Sequence, residues 1–403
     1  MNRHGPIRAI KLASCTAAVL IGACGGNAGL EPPDPALAAQ GKAIFRFDTF
    51  GDETFWTDTL RMHEVIQAAV DPTTALRVGL KLDAEALPPA VVQGIQSGAV
   101  SLTDPATTVA LLKLNAVVGL KGTVETIDGR DTLVRVGTTC ALCHSTVNNS
   151  FAPGIGARLD GWPNSDLNPG AIIALSPTPS TTQKAVYNSW GPGKYDPRFN
   201  LDGVNGPVVI PPAYGLLGVN RIIYTGDGPD IAYWNLYVGV TQMHGHGTFA
   251  DSRLGVSVQN PPDLISSKLE ALQAYQLSLQ APAPSAGTFD PAAAERGRAV
   301  FQGAGACSTC HTGNRLTDAN TRLHDPSEVV SEPEPNGVPS YASRSATKQY
   351  RTTPLRALLR HPPYFHNGIA VTLEAVVDLY DAKKGLTLTA EQKADLVEYL
   401  KSL

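Results

Sequence analysis

Two pentapeptides of one pattern constrain this chain more than anything else in it: Cys140-Ala-Leu-Cys143-His144 and Cys307-Ser-Thr-Cys310-His311. C-x-x-C-H is the attachment signature for c-type haem. The two thiols add to the porphyrin vinyl groups and the adjoining imidazole reaches the iron as proximal ligand. A zinc site would need two further ligands at spacings that the chain lacks. The pattern therefore predicts two covalently bound haem c groups, held by Cys140, Cys143, Cys307 and Cys310, with His144 and His311 on the metals.

The other two cysteines of the six, Cys15 and Cys24, lie in the N-terminal leader. Arg3, Arg8 and Lys11 precede an apolar run from Leu12 to Ala23, too short to span a bilayer and suited to a secretory signal. The run ends Leu20-Ile21-Gly22-Ala23-Cys24, which resembles a bacterial lipobox with Ile21 in place of the usual Leu. On that reading 1–23 is a signal peptide, Cys24 carries lipid, and 24–38, with Pro32-Pro33 and Pro35, is a tether. The expected location is the periplasm, anchored to the outer membrane by lipid alone; a soluble periplasmic or secreted protein is the alternative. Over 403 residues, 43% hydrophobic and 17% charged composition excludes a disordered chain. A formal net charge of −4 with no basic block argues against a nucleic-acid partner.

The chain order repeats. Ala38-Ala-Gln-Gly41-Lys-Ala-Ile-Phe45 leads to the first motif and Leu269–Gln280 closes that segment. Ala292-Ala-Ala-Glu-Arg-Gly297-Arg-Ala-Val-Phe301 leads to the second, and Ala394–Leu403 closes it. Both opening helices start Asp-Pro (Asp34-Pro35, Asp290-Pro291), an N-cap followed by proline at the first helical position. Thr389 and Gln392 form a capping box for the last helix, and Leu396, Leu400 and Leu403 give it one buried face. Gly41 and Gly297 would let each closing helix cross its opening helix closely. Helix, haem motif, loops and closing helix is the order of class I cytochrome c domains. The expected fold is all-α: one such domain over 39–285, a second over 286–403, joined near Ala281–Gly287.

The first repeat carries an extension over 46–136. Thr54–Val70 reads as a helix bearing His63. Asp104-Pro105 opens another through Val118, and Val124–Val136 reads as a β-hairpin about Asp128-Gly129. The aromatic and acidic run Phe45–Trp56 is expected to pack around the first haem.

The C-terminal third resembles the bacterial di-haem cytochrome c peroxidase superfamily, which includes MauG and, more distantly, rubber oxygenase. The residues that carry the likeness are Gly303–Gly313 around the second motif, Leu316-Thr-Asp318, His324, Tyr350–Arg356, Pro363-Tyr-Phe-His366-Asn-Gly368 and Thr372-Leu-Glu374. The first domain matches more loosely, through its haem motif and Asn220–Gly228. Its extension and Thr138–Ser150 look more like the rubber-oxygenase branch.

The resemblance implies roles residue by residue. Most of these peroxidases place a Met fourteen residues after the Pro-Tyr-Phe-His histidine as sixth ligand of the second haem. Here that position is Tyr380, and the chain's methionines, Met1, Met62 and Met243, all lie outside the second domain. MauG-like members use a Tyr there, so Tyr380 is the expected ligand, with His361 or His366 as alternatives. The displaceable His that follows the first motif in the family is missing, and Gln242-Met243-His244-Gly-His246 holds the next ligand-like groups. His244, where the family's distal acid/base falls by count, and His246 are the expected catalytic residues; an axial role for them, or for His63, stays open. Tyr224 or Thr225 stands where the family has a bridging Trp, with Trp234 nearby. Of the family's interdomain calcium site, Pro363 can offer its carbonyl, while the Asn partner has no match. The implied activity is that of an oxidoreductase of peroxidase or oxygenase type: the first haem reacts with peroxide or dioxygen, and the second relays electrons with a small cytochrome c or cupredoxin. A lipid-tethered electron carrier with no substrate of its own is the alternative.

Overall fold

A computed structural model describes Met1 and residues 30–403. The leader with Cys15, and the lipobox with Cys24, lie outside the described residues. From Pro32 to Leu403 the chain forms one compact unit.

Its frame is a pair of helix crossings built twice from the same parts. Helix α1 (Pro35–Phe47) is capped by the Asp34 carboxylate, which accepts from Ala36 N, and buries Ala38, Gly41 and Phe45 on one face. An ideal Cβ on Gly41 would lie 1.9 Å from the Ala271 carbonyl oxygen and 2.7 Å from Tyr275 Cβ, on the helix Leu269–Ser278. In the second repeat Gly297 stands in the same relation to Asp395 (1.9 Å) and Tyr399 (2.9 Å). Four residues after each glycine a phenylalanine meets that tyrosine edge-on: Phe45 on Tyr275 at 5.5 Å and Phe301 on Tyr399 at 5.1 Å, both at 64°. The small residue lets the backbones touch, and the aromatic one turn later fills the space beside the contact. Phe45 is fully buried and Phe301 nearly so; burying such a ring contributes about 3 kcal/mol.

Between the crossings the first repeat departs from the expected all-α plan. The segment 54–70 is not one helix. Thr54–Thr59 wind as a single wide turn, Arg61 takes a left-handed conformation (φ 54°), and α2 then runs Met62–Ala69. The cause is tertiary: Thr57 Oγ1 accepts from Val136 N at 2.9 Å and donates to Val136 O at 3.1 Å, tying the turn to the hairpin. Helix α3 (Pro105–Lys113) starts on its Asp104 cap but stops short of Val118, where Asn115 turns left-handed (φ 54°). The hairpin forms as read, and longer. Strand β1 (Leu120–Ile127) pairs with β2 (Arg130–Thr138) through Asp128 and Gly129, both at positive φ, the conformation that a two-residue hairpin turn requires. Among the described residues the chain holds five two-stranded ribbons, all within residues 82–260, and three of them lie beyond the first haem motif, so the departure from the all-α plan runs through the first repeat and is not confined to the extension.

Helix α4 (Ile231–Thr241) and helix α5 (Leu269–Ser278) complete the first repeat. The second uses α6 (Pro291–Gln302), α7 (Leu373–Lys384, capped by Thr372) and α8 (Ala390–Lys401). The Thr389–Gln392 capping box is present on α8. Leu396, Val397 and Leu400 pack with Phe301, Leu358, Leu373 and Val377 as the second core. No helix among the described residues is long and apolar enough to cross a membrane.

Candidate haem sites

Strand β2 delivers the first motif. Its end is pinned by the fully buried Asp52, whose carboxylate accepts from Thr138 N (3.0 Å) and from Thr138 Oγ1 (2.5 Å). Burial pushes the Asp52 carboxyl well above the usual range. Cys140 then caps one short helical turn, Ala141–His144, that carries Cys143 and His144. Gly119 admits the Leu142 backbone, since a Cβ there would sit 2.1 Å from Leu142 Cα. The thiols of Cys140 and Cys143 are unbridged, and burial pushes both up to about 12.

The imidazoles are presented alike. His144 Nδ1 is 3.2 Å from the Pro211 carbonyl oxygen, and His311 Nδ1 is 2.9 Å from that of Leu316. A carbonyl only accepts, so each Nδ1 carries the proton and Nε2 keeps its lone pair. Burial lowers His144 to about 4 and shifts His311 downward too, which keeps both rings neutral at pH 7. A neutral imidazole fixed through one nitrogen by a backbone acceptor is the usual form of a metal-bound histidine. These residues fit haem c: paired thiols in apolar walls, with one oriented imidazole beside each pair.

At the second site Cys307 begins a tight turn, Cys307–Thr309, with His311 beside Phe301 (6.2 Å between rings). Tyr380, on α7, packs near Phe365 (5.9 Å). Burial, then the nearby Cys307 and Cys310, hold its phenol above the usual range, so its hydroxyl lies close to the two thiols of the second motif. The alternatives are engaged elsewhere. His361 Nε2 is 3.2 Å from the Arg356 carbonyl oxygen. His366 is bound through Nε2 to Glu334, with Nδ1 3.4 Å from Ser331 Oγ. Of the three candidates the structure sets Tyr380 beside the second motif.

Around the first site the Gln242–His246 stretch follows α4 directly. Tyr195, whose raised phenol is influenced by Cys143 after its own burial, donates to Gln242 Oε1 at 3.0 Å. Met243 belongs to a core with Phe45, Ala141 and Tyr237, against which Cys140 packs. His244 has positive φ (64°), and its ring stacks on Phe55 at 3.7 Å and 24°. Burial lowers it to about 4, so it is a neutral base at pH 7. His246 is displaced from it, lying over Gly51 with Nε2 3.3 Å from Thr54 Oγ1 and Nδ1 buried without a partner. His63 sits on α2, with Nε2 4.0 Å from Glu64. Trp234 stacks on Tyr237 (4.8 Å), while Tyr224 faces His366 (6.1 Å) and donates to the Val209 carbonyl at 3.2 Å. Val209 N in turn donates to His366 O at 2.7 Å, which joins the two repeats.

Sequence reasoning missed the Pro211 and Leu316 carbonyls. Leu316 is five residues past its histidine and within reach of a local turn; Pro211 is 67 residues away and no local pattern points to it. It also missed Tyr195.

Two sites of this kind are what a di-haem c-type cytochrome would need. Curated proteins similar in sequence include cytochrome-c peroxidase IdrP2 of Denitromonas iodatirespirans, 29% identical over 140 residues, with 27% of this chain and 38% of that protein covered. IdrP2 of Pseudomonas sp. (strain SCT) is 31% identical over 144 residues, covering 27% and 39%. The methylamine utilization protein MauG of Methylorubrum extorquens is 33% identical over 122 residues, covering 27% and 34%. The chain is similar to these cytochrome c peroxidases and MauG over about a quarter of its length, spanning under two-fifths of the length of these three proteins. No family model matches it. Solved structures that align with it include a MauG-like protein associated with microbial copper homeostasis (20% identity, TM-score 0.35, covering 50% of this chain and 74% of that one). Another is Kuenenia stuttgartiensis hydrazine synthase (19%, TM-score 0.34, covering 49% and 73%). These scores are too low to define a shared overall fold.

Proposed function

We propose that the chain is an exported di-haem c-type cytochrome acting as an oxidoreductase of peroxidase or oxygenase type. The observation that carries the reading is the asymmetry between two similarly built sites. The second has a phenol, Tyr380, beside its thiols. In the first repeat a neutral imidazole, His244, stacks on Phe55, which packs against the same core as Cys143.

Cys140 and Cys143, and Cys307 and Cys310, would hold the haems, with His144 and His311 donating Nε2 lone pairs to iron. Bound haem would supply one-electron chemistry with peroxide or dioxygen at the first site and electron storage at the second. Tyr380 offers a hard oxygen that favours the ferric state. His244 would accept a proton from an incoming hydroperoxide at a ring nitrogen and return it to the departing oxygen. His246, tied to the 51–54 segment, would hold the loop rather than touch substrate. Peroxide or dioxygen, a small cytochrome c or cupredoxin, and calcium on the Pro363 carbonyl belong to the same proposal. So does a place near the rubber-oxygenase branch, supported by the extension and Thr138–Ser150. An electron paramagnetic resonance spectrum of the ferric protein should show one high-spin and one low-spin iron. Two low-spin irons in every redox state, with no peroxide turnover, would overturn it.

Met243 supports a second reading. A thioether in the core that also packs Cys140 can cap the first iron, which would leave a tethered electron carrier. Fast exchange with a soluble cytochrome, unchanged in His244→Ala, would favour it. Lipid anchoring at Cys24 is tested by Cys24→Ser: correctly processed protein that still sediments with membranes would refute it.

A further inference from the structure

Away from both haem motifs, four donor groups from three separate loops meet at one point. His366 is 3% exposed, and its Nε2 faces Glu334 Oε1. Tyr350 OH lies 3.3 Å from the same nitrogen and donates to Glu332 Oε1 at 2.5 Å. One ligand atom from each of Glu332, Glu334 and His366 can be chosen so that all lie within 4.8 Å of one another. Metal ligands at about 2.0–2.2 Å sit roughly 3.5 Å apart, so side-chain adjustments on the order of 1 Å would close the set.

Charge and protons decide what belongs at the centre. A nitrogen lone pair and a carboxylate oxygen cannot face each other across an empty gap, so a proton or a cation must lie between His366 and Glu334. A proton on Nε2, with Nδ1 left to accept from Ser331 Oγ, keeps the imidazole neutral and offsets neither of the two partly buried carboxylates. Of the other cations nearby, Lys194 donates to the Asn367 carbonyl at 2.8 Å and keeps its charge, which attracts Glu334, while Arg198, over the Tyr341 ring, is paired with Asp227. A divalent cation balances both carboxylates and leaves the imidazole neutral. The outer groups are arranged as for ligands. Asn367 Nδ2 donates to Glu334 Oε2 at 2.9 Å, Ser340 Oγ to Glu332 at 2.6 Å, and Ser331 Oγ lies 3.4 Å from His366 Nδ1.

We propose that Glu332, Glu334 and His366, with the Tyr350 hydroxyl, form a binding site for a divalent transition-metal ion of zinc type, where the second repeat's loops meet Val209 of the first. The imidazole sets it apart from a calcium site, which takes oxygen ligands only. The test uses the full-length holoprotein, in which haem occupies the four motif cysteines. After chelator treatment and dialysis, zinc chloride is added and metal content and binding heat are measured. One tightly held zinc per chain is expected, with affinity at least tenfold weaker in Glu334→Gln and His366→Ala. Should His366→Ala fail to fold, Glu332→Gln, which keeps the side chain's shape, serves in its place. No zinc uptake would overturn the proposal. So would zinc binding that both variants retain, or calcium chloride binding equally well in wild type and Glu334→Gln.

Discussion

Gly297→Ala tests the frame directly. The added Cβ would meet the Asp395 carbonyl oxygen at 1.9 Å, more than 1 Å inside the 3.0 Å that Cβ atoms respect, and the atom it meets is backbone. No rotamer relieves this, so α6 and α8 must part. Parting them loosens Phe301 on Tyr399 and lengthens the Arg296–Asp395 pair, now at 2.6 Å. Alanine's better helix propensity returns about 1 kcal/mol. Overpacking costs about 1–3 kcal/mol and sometimes more, and the aromatic pair another ~1 kcal/mol. The expected net loss is about 1–3 kcal/mol, as a lower urea midpoint by far-UV circular dichroism with the slope unchanged. Gly41→Ala should behave alike, because Ala271 stands where Asp395 does. A Gly297→Ala protein within about 0.5 kcal/mol of wild type would refute the close crossing, since surface substitutions alone span that range.

Replacing both Cys140 and Cys143 with Ala should empty one site; two haems by pyridine haemochrome assay would disprove the attachment assignment. Tyr380→Phe should convert the low-spin iron to a high-spin site that binds added ligand, and Tyr380→Met should raise its reduction potential. An unchanged low-spin signal in Tyr380→Phe would return the role to His361 or His366. His244 adds a pH dependence. Its folded-state value of about 4 lies below the unfolded value near 6.5, so the unfolded chain takes up the proton first. Its stabilisation is complete above pH 6.5 and is lost as pH falls towards 4, at most about 3 kcal/mol by urea titration. Peroxide turnover should fall through the same lower limit, and His244→Ala should flatten both profiles.

The features legible in the sequence are those set by local chemistry. Asp-Pro caps, the Thr389 capping box, the Asp128-Gly129 turn and the two haem motifs each need only neighbours within four residues, and all appear. Gly41 and Gly297 were readable as close contacts because they recur at one place in a repeat. What escaped depends on distant partners. The 54–70 segment has helical spacing, yet Val136 claims Thr57 from across the hairpin. His244 and His246 look equivalent two residues apart, until positive φ at His244 sends one ring to Phe55 and the other to Thr54. Glu332 and Glu334 belong to a Pro-rich loop that carries no motif; only the fold brings them to His366.

The run from Val209 to Pro211 has a mechanical consequence. Its first residue is fastened to the backbone of His366, and its last supplies the oxygen that orients His144. Three residues thus act as a short lever between a loop of one repeat and the imidazole of the other. Any shift of that loop alters the pull on the His144 N–H, and with it the electron density that the ring can give to a metal. A change at the His366 loop would reach the His144 imidazole through these backbone hydrogen bonds alone.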